Sequence, residues 1–341
     1  MTELLSRLLA RTEPIGVPAW RAFWDRQAAG KLRRGEAAAV LASLGTAMPD
    51  RDTLRALFDS LDEHRSTPPV AFPDTVNIVG TGGGRGTFNI STASAFVAAA
   101  TGVRVLKTGS RAYSGRVGSF DLLGLLGIEL TGSYERTAEL LDRHGIAFAG
   151  NFVYPAQITS LARDVAPLDI RSVGRFLNAV GPFLPTVPVS AQVTGVAVGQ
   201  LAGYLGVLAE RERHKRILLC HNESGVDELT TAGPNAVLGN DGRAPEVLDP
   251  GALGLVPASD ADLAAAPETE AVERFLGVLA GDAPDGAVHT VCLNAAALAI
   301  AVGACDSWPE AVRAALTAVH DGSARRLVDR CRQPEVVGAH G

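Results

Sequence analysis

The glycine-rich stretch at residues 80–86 constrains the fold of this chain more than any other feature. It has five glycines in seven residues and lies between an apolar run at 75–79 and a run of small residues at 91–101. The apolar run is typical of a short β-strand, the small residues predict a helix, and residues 103–106 predict a second strand. Strand, loop, helix and strand in this order form the repeating unit of a parallel sheet covered by helices. The sequence therefore predicts an α/β fold.

The rest of the chain divides into a helical start and a longer α/β part. Residues 1–65 have helical hydrophobic spacing without a strand candidate, and the proline-rich stretch at 66–74 is a natural linker. Further strands are predicted at 146–149, 192–198 and 216–220, and further helices at 158–180 and 268–331. We expect a small N-terminal helical domain at residues 1–68, with the helices of about 158–183 packed on it. Residues 69–341 are expected to form the larger domain, a mostly parallel sheet flanked by helices.

Charge and composition narrow the class of protein. The net charge of −6 repels nucleic acid from the surface as a whole, although a local basic cluster can still bind a small phosphorylated ligand. The four cysteines lack the paired C-x-x-C spacing of zinc and redox sites, so we expect reduced thiols in the cytoplasm. The N-terminus lacks the apolar core of a signal peptide, and His289 and Asn294 interrupt the best apolar stretch, residues 288–304. That stretch is predicted to be a buried helix and not a membrane span.

The glycine-rich stretch also predicts a phosphate-binding site. Glycine lets backbone N–H groups approach an anion closely, and Asn89, Ser91 and Thr92 stand where the next helix begins. The plainer interpretation is a flexible turn with an ordinary N-cap; the strand before it and the helix after it favour phosphate binding. The stretch lacks the G-x-x-x-x-G-K-[ST] pattern of nucleoside triphosphatases. It also lacks the G-x-G-x-x-G pattern with an acidic residue about 20 positions further on, so a dinucleotide site is not expected.

Two further segments can complete such a site. Lys107 and Arg111 follow the second predicted strand, and Ser119 begins a later helix. In open parallel sheets the ligand crevice lies at the carboxyl ends of the strands, so Lys107 is expected to face the same crevice as the glycine-rich stretch. Taken alone, Lys107 and Arg111 would be interpreted as a solvated surface pair.

A pair of adjacent carboxylates, Asp227 and Glu228, follows the predicted strand at 216–220. Carboxylate oxygens without a Cys/His pair nearby favour Mg²⁺ over zinc, and such an ion keeps waters and binds a substrate phosphate. The alternative is a solvated acidic turn. One of the three arginines in the helical stretch at 158–180 is a candidate for binding a substrate carboxylate with its guanidinium fork.

Together these segments resemble the anthranilate phosphoribosyltransferase family. The order and spacing of the motifs agree over essentially the whole chain: Gly80-Thr81-Gly82-Gly83, Asn89-Ile90-Ser91-Thr92, Gly118-Ser119, Asp121-Leu122-Leu123, Asn178 with Gly181-Pro182, and Asp227-Glu228. The resemblance implies a homodimer with the fold of the pyrimidine nucleoside phosphorylases. It also implies phosphoribosyl pyrophosphate (PRPP) as the donor and Mg²⁺ as the metal.

The resemblance implies roles for individual residues as well. Lys107 is expected to neutralise the leaving pyrophosphate and Arg163 to orient the acceptor carboxylate, which makes these two the candidate catalytic residues. The expected metal ligands are Ser91, Asp227 and Glu228. The residues expected to contact the donor are Gly80, Thr81, Gly82, Gly83, Asn89, Ser91, Thr92, Lys107 and Ser119.

The chain departs from the family pattern on both the donor side and the acceptor side. Gly84 stands where the family has Asp, and the glycine-rich stretch is one residue shorter than usual. Thr108 and Ser110 replace a His and an Asn, and Gly174 replaces a proline, so the expected acceptor residues are these three and Arg163. Because the donor half is largely kept and the acceptor half is changed, the main hypothesis is a Mg²⁺-dependent transfer from PRPP to a small aromatic acid other than anthranilate.

Three alternatives remain open. The first is an ordinary anthranilate phosphoribosyltransferase of tryptophan biosynthesis with a tolerant acceptor pocket. The second is a nucleoside phosphorylase. The third is a non-catalytic relative that binds nucleic acid; the net charge of −6 and the retained Asp227 and Glu228 argue against it.

Overall fold

The N-terminal part of the chain is helical, as predicted. The computed structural model of the protein describes residues 2–109 and 117–332. The N-terminal helices are α1 (Glu3–Ala10), α2 (Val17–Ala28), α3 (Glu36–Thr46) and α4 (Arg51–Asp62). Their apolar faces meet around Trp20, Phe23 and Phe58, which are almost completely buried. Each helix has one apolar face, and burial of that face against its neighbours stabilises this part of the fold.

Within the described residues, a seven-stranded sheet forms the centre of the remaining chain. Its strands are β1 (Phe72–Gly80), β2 (Arg104–Lys107), β3 (Ile146–Phe148), β4 (Val189–Val196), β5 (Arg216–Asn222), β6 (Asn235–Gly239) and β7 (Glu246–Leu248). Their order is β3-β2-β1-β4-β5-β6-β7, with the first five parallel and the last two antiparallel. The predicted mostly parallel sheet is therefore confirmed. The sequence did not predict β6 and β7, because both are short and partly exposed and lack the long apolar run of a buried strand.

Helices pack on both faces of the sheet. Alternate residues of β5 show this, since Leu218 and Cys220 face one core and Ile217 and Leu219 face the core of the N-terminal helices. The helices that follow β1 in the chain are α5 (Ile90–Ala100), α6 (Ser119–Leu125), α7 (Tyr134–His144), α8 (Ala156–Asp164), α9 (Ile170–Val173), α10 (Arg175–Val180), α11 (Ala202–Ala209), α12 (Asp260–Leu263), α13 (Glu268–Ala280), α14 (Asp285–Val302), α15 (Trp308–His320) and α16 (Ser323–Cys331).

Helix α14 is the predicted buried helix. Among the described residues it is the one helix whose length and hydropathy would suit a membrane span, but most of it is buried inside the protein against α5 and α15. Its polar Asn294 accepts a hydrogen bond from the N–H of Leu229 and donates one to the carbonyl oxygen of the same residue. Because Leu229 directly follows Glu228, this buried amide also fixes the carboxylate-bearing loop in place.

The helices between β3 and β4 pack on the N-terminal helices. Leu161 of α8 and Phe176 and Val180 of α10 belong to the same core as α1 to α4. Arg65 extends this contact, because its Nη2 donates to the carbonyl oxygens of Phe183 and Leu184 at 3.3 and 3.0 Å. The division into domains at residue 68 stays a prediction.

Candidate active site

The candidate site lies where four parallel strands end side by side. β1 ends at Gly80, β2 at Lys107, β4 at Val196 and β5 at Asn222. The carboxyl ends of parallel strands share one edge of a sheet, so the loops that follow them converge. The central pair is β1 and β4, whose ends are in register with Gly80 opposite Gly195.

Glycines let the loops after β1 and β5 touch. A Cβ on Gly80 would overlap the carboxylate of Asp227, and a Cβ on Gly195 would overlap the backbone carbonyl of Asp227. The N–H of Gly82 donates to Oδ2 of Asp227 at 2.8 Å. The turn itself has φ angles of 63° at Gly82 and 77° at Gly83, a region that residues with a Cβ rarely adopt. The glycine-rich stretch therefore brings its backbone directly against a carboxylate.

The start of α5 offers donors beside this contact. Asn89 has a φ of 67°, and its Nδ2 donates to the carbonyl oxygen of Val117 at 3.0 Å, so its side chain does not cap the helix. The hydroxyl of Ser91 accepts a hydrogen bond from Lys107, and the hydroxyl of Thr92 is buried with no hydrogen-bond partner among the described residues. A helix start with spare donors is suited to an anion.

Lys107 is a buried cation at the end of β2. Its Nζ donates to the carbonyl oxygen of Ile78 and to Oγ of Ser91, both at 3.2 Å, and the residue is only 3% exposed. Burial lowers its pKa to about 8, although the charges of Glu228 and Asp227 act in the opposite direction. A buried cation of this kind is stabilised by a further anion, which a phosphorylated ligand would supply.

The two carboxylates, Glu228 buried and Asp227 half-buried, lack enough positive charge and donors around them. Burial raises the pKa of Asp227, and burial together with the neighbouring Asp227 raises the pKa of Glu228 well above its ordinary value. Oε1 of Glu228 accepts a hydrogen bond of 3.5 Å from the hydroxyl of Thr87, while Oε2 is buried with no partner among residues 2–109 and 117–332. An unpartnered buried carboxylate oxygen marks a place for a cation.

The donor set fits Mg²⁺ that is partly held by a substrate. No group of three or more His, Cys, Asp and Glu residues that could enclose a metal occurs in the described part of the chain. Mg²⁺ rarely needs such a group, because it usually binds one or two carboxylates and completes its six ligands with waters and substrate phosphates. Asp227, Glu228 and the hydroxyl of Ser91 are the residues that would hold it.

Comparison with known proteins identifies the family. A family described as "Glycosyl transferase family, a/b domain" matches residues 72–325 of the chain. The chain is 36% identical over 321 residues to "Anthranilate phosphoribosyltransferase 2" of Streptomyces coelicolor, which covers 91% of this chain and 95% of that protein. The chain belongs to the anthranilate phosphoribosyltransferase family. It is therefore an enzyme of the phosphoribosyltransferase class, as the motifs predicted.

Solved structures of anthranilate phosphoribosyltransferases have the same fold. The enzyme from Thermus thermophilus aligns with a TM-score of 0.78 and 28% identity over 96% of this chain and 98% of that one. The enzyme from Saccharomyces cerevisiae in complex with PRPP and Mg aligns with a TM-score of 0.71, over 92% of this chain and 97% of that one. At 20% identity the second likeness shows the fold alone.

The other predicted donor residues of the anthranilate phosphoribosyltransferase pattern lie around the same strand ends. Thr81 is held between loops, since its N–H donates to the carbonyl oxygen of Gly195 and its hydroxyl accepts from the N–H of Ala197. Ser119 is the first residue of α6, and it packs so closely against Gly109 that a Cβ there would approach Oγ of Ser119 within 2.5 Å. The roles of these residues toward a donor stay predictions.

On the acceptor side, Thr108 has a structural environment. It is completely buried, its N–H donates to Oδ1 of Asn77 at 3.0 Å, and its hydroxyl accepts from Nδ2 of Asn77 at 3.1 Å. Ser110 lies outside the described residues. Thr108 therefore has no free hydrogen-bonding group to offer, and an acceptor role for its side chain stays a prediction.

The other two predicted acceptor residues lie on the helices between β3 and β4. Arg163 is exposed in the last turn of α8, where its Nη2 donates to Oγ of Ser160 at 3.1 Å. Gly174 precedes α10, and a Cβ there would approach the carbonyl oxygen of Ile170 within 2.5 Å. Both contacts are local to the helical segment, and the acceptor roles of the two residues also stay predictions.

Two buried residues that the sequence did not indicate support the end of β2. Besides Thr108, Asn77 binds Gln192, and Nε2 of Gln192 donates in turn to the carbonyl oxygen of Pro182 and to Oγ1 of Thr194, both at 3.0 Å. Asn77 and Gln192 are at most 1% exposed. The available signal was a polar residue inside each of two apolar strands, which requires a partner when it is buried.

Proposed function

We propose that this enzyme transfers the phosphoribosyl group of PRPP to anthranilate in a Mg²⁺-dependent reaction. The observation that carries the proposal is the meeting of Lys107, Ser91, Asp227 and Glu228 at the glycine-rich stretch. These groups suit a ligand that is both phosphorylated and bound to a metal. The site combines a buried cation, a helix start without a side-chain cap and two carboxylates whose negative charge is not fully balanced. Family membership supplies the reaction class.

The proposed reaction breaks the bond between C1 of the ribose and the pyrophosphate oxygen and forms a bond from C1 to the amine nitrogen of anthranilate. The amine loses one proton, and pyrophosphate leaves. When bound, Mg²⁺ would neutralise part of the charge on the leaving group. Lys107 and the N–H groups at the start of α5 would bind the phosphates, and the position of these fixed charges would provide most of the rate enhancement. A covalent nucleophile is not required.

The acceptor we put forward is anthranilate, and not the different aromatic acid favoured by the changed residues. Support comes from the relatives, which carry the name anthranilate phosphoribosyltransferase at 29–36% identity along most of the chain. Arg163, Gly174, Thr108 and Ser110 are proposed to form the acceptor side. In this proposal Arg163 leaves Ser160 to bind the acceptor carboxylate.

The test is an assay of the purified enzyme with PRPP, Mg²⁺ and anthranilate. We expect loss of anthranilate fluorescence with release of one pyrophosphate for each anthranilate consumed, and we expect chelation of Mg²⁺ to stop it. Parallel reactions with other aromatic acids measure the preference. Consumption of PRPP with another acid at a kcat/KM at least tenfold above that with anthranilate would contradict the proposed acceptor. Failure to consume PRPP with any acid would contradict the whole proposal.

We also propose that the enzyme is a cytoplasmic homodimer, as the family pattern implies. Its net charge of −6 disfavours association with nucleic acid. Light scattering coupled to size-exclusion chromatography tests the oligomer, with an expected mass twice the 35.4 kDa of the chain. A mass equal to that of one chain at micromolar concentration would contradict the dimer.

A further inference from the structure

The glycine-rich stretch has a second neighbour besides the loop of Asp227. Thr87 pairs with Ala264 in an isolated antiparallel bridge, and the N–H of Ala265 donates to the carbonyl oxygen of Gly86 at 3.3 Å. Residues 264–265 follow α12, so the segment between α12 and α13 lies along the second half of the stretch. No local pattern in the sequence indicates this contact.

Arg274 of α13 links this segment to Phe88, which lies two residues before the start of α5. Its Nη2 donates to the carbonyl oxygens of Ala261 and Asp262 at 3.1 and 2.7 Å. Its guanidinium also lies over the ring of Phe88, 5.2 Å from the centroid. The side chain of Arg274 therefore connects α12, α13 and Phe88. Its planar guanidinium can donate to two acceptors and lie against an aromatic ring at the same time.

Phe88 is the link to the anion-binding end of α5. It is 4% exposed and packs in the core that α5, α13 and α14 share with the sheet. It directly precedes Asn89, whose φ of 67° turns the chain into α5. Residues other than glycine seldom adopt a positive φ, so the surroundings of Asn89 hold it in this conformation. The side chain of Asn89 is engaged with Val117 and does not cap α5. The position of Phe88 therefore helps to determine where the N–H groups at the start of α5 point.

Resting on the proposed function, we propose that Arg274 is a positioning residue for donor binding. It acts through Phe88 to hold the start of α5 in the orientation that binds the donor phosphates. It does not touch the reacting atoms. Arg85 also connects the glycine-rich stretch to α12 through an ion pair with Asp260. This ion pair is exposed, and exposed ion pairs contribute little to stability.

The test compares Arg274→Leu and Arg274→Lys with wild type. Calorimetric titration with PRPP in the presence of Mg²⁺ measures donor binding directly, and steady-state kinetics measure KM for each substrate. We expect Arg274→Leu to raise the Kd and KM for PRPP on the order of tenfold while KM for anthranilate stays unchanged. Arg274→Lys retains the cation but not the fork, so it should show a smaller increase. The control is Glu273→Gln, an exposed neighbour on the same helix.

A double-mutant cycle with Phe88→Leu makes the test independent of overall stability. If Arg274 acts through the ring, the effects of Arg274→Lys and Phe88→Leu on the Kd for PRPP are not additive. Additive effects, or unchanged PRPP binding by a folded Arg274→Leu, would overturn the inference. Wild type that does not bind PRPP at all would instead overturn the proposed function, and the two failures are thereby distinguished.

Discussion

At the scale of single residues, Glu228 combines a cost to stability with a proposed role in metal binding. Its carboxylate is buried beside Asp227, and Oε2 has no hydrogen-bond partner in the described ranges. A buried carboxylate with one oxygen unpartnered destabilises the folded state, so a neutral side chain of the same shape relieves that cost. Buried carboxylates whose pKa is raised in this way are common at ligand-binding sites.

We therefore expect Glu228→Gln to keep or raise the melting temperature of the ligand-free protein and to lower turnover strongly. Loss of a metal ligand removes several kcal/mol of charge stabilisation, and the expected fall in kcat is on the order of 10²-fold or more. Thermal unfolding and the pyrophosphate assay measure the two effects. Glu223→Gln, on the exposed part of the same loop, is the control. An active Glu228→Gln enzyme would remove Glu228 from the metal site.

Gly84 gives a second prediction at this scale. The family pattern has Asp at this position, which suggests that Gly84→Asp would strengthen donor binding. In this chain a Cβ on Gly84 would lie 2.5 Å from the carbonyl oxygen of Gly225 and 2.8 Å from Cβ of Ala197. Both neighbours leave little room to move, so we expect Gly84→Asp to lower stability by about 1–3 kcal/mol and to weaken PRPP binding.

The matched control for Gly84 is Gly206→Ala in α11. A Cβ on Gly206 meets no other atom within 4 Å, and alanine favours a helix over glycine by about 0.5–1 kcal/mol. Urea denaturation of both variants should therefore give changes of opposite sign. A stable Gly84→Asp variant with tighter PRPP binding would show that the shortened stretch can still take the family residue.

At the scale of elements, the cap of α4 joins helix formation to packing of the N-terminal part. Oδ1 of Asp50 accepts from the N–H of Thr53 at 2.8 Å, and Oδ2 accepts from its hydroxyl at 2.6 Å. The same hydroxyl accepts from the N–H of Ile15 in the connection between α1 and α2. Partial burial raises the pKa of Asp50, but the hydrogen bonds from Thr53 and from backbone N–H groups outweigh it and hold this pKa below its ordinary value.

We expect Asp50→Ala to cost about 1 kcal/mol at pH 7, the usual effect of losing an N-cap. Because the pKa of Asp50 is lower in the folded state, its contribution is complete above the unfolded pKa of about 4 and is lost as the pH falls through the folded value. The difference between wild type and Asp50→Ala in urea denaturation should therefore shrink below pH 4. Asp50→Asn keeps the acceptor without the titration, and its stability difference should not shrink in this way.

The elements were predictable where local pattern and burial agree. The motif of β1, glycine-rich stretch and α5 was found because both the strand and the helix are almost wholly buried and apolar. β6 and β7 were missed because antiparallel pairing positions them, β6 against β5 and β7 against β6, and their own residues do not. The contact of Arg274 with Phe88 was equally hidden, since the two residues are far apart in sequence and neither has a pattern of its own. Local sequence therefore predicts the motif of strand, glycine-rich stretch and helix, and long-range packing determines the elements that it missed.

At the scale of the whole molecule, metal and donor should bind together. The structure offers Mg²⁺ two carboxylates and a hydroxyl, and the described residues contain no larger group of ligands. Six ligands then require waters and donor phosphates, while Lys107 and the start of α5 favour the donor. Each ligand should therefore raise the affinity for the other by the same factor.

We expect Mg²⁺ alone to change the melting temperature little, PRPP alone to raise it modestly, and both together to raise it by more than the sum. A ligand at about 100 times its Kd stabilises the folded state by about 2.7 kcal/mol. For a protein of this size this corresponds to a rise in melting temperature of roughly 5 °C. Differential scanning fluorimetry with each ligand and with both measures the excess. In Asp227→Asn the excess should disappear while a small effect of PRPP remains, because Lys107 still binds phosphate. Equal shifts with and without Mg²⁺ would mean that the two carboxylates do not bind the metal of the donor complex.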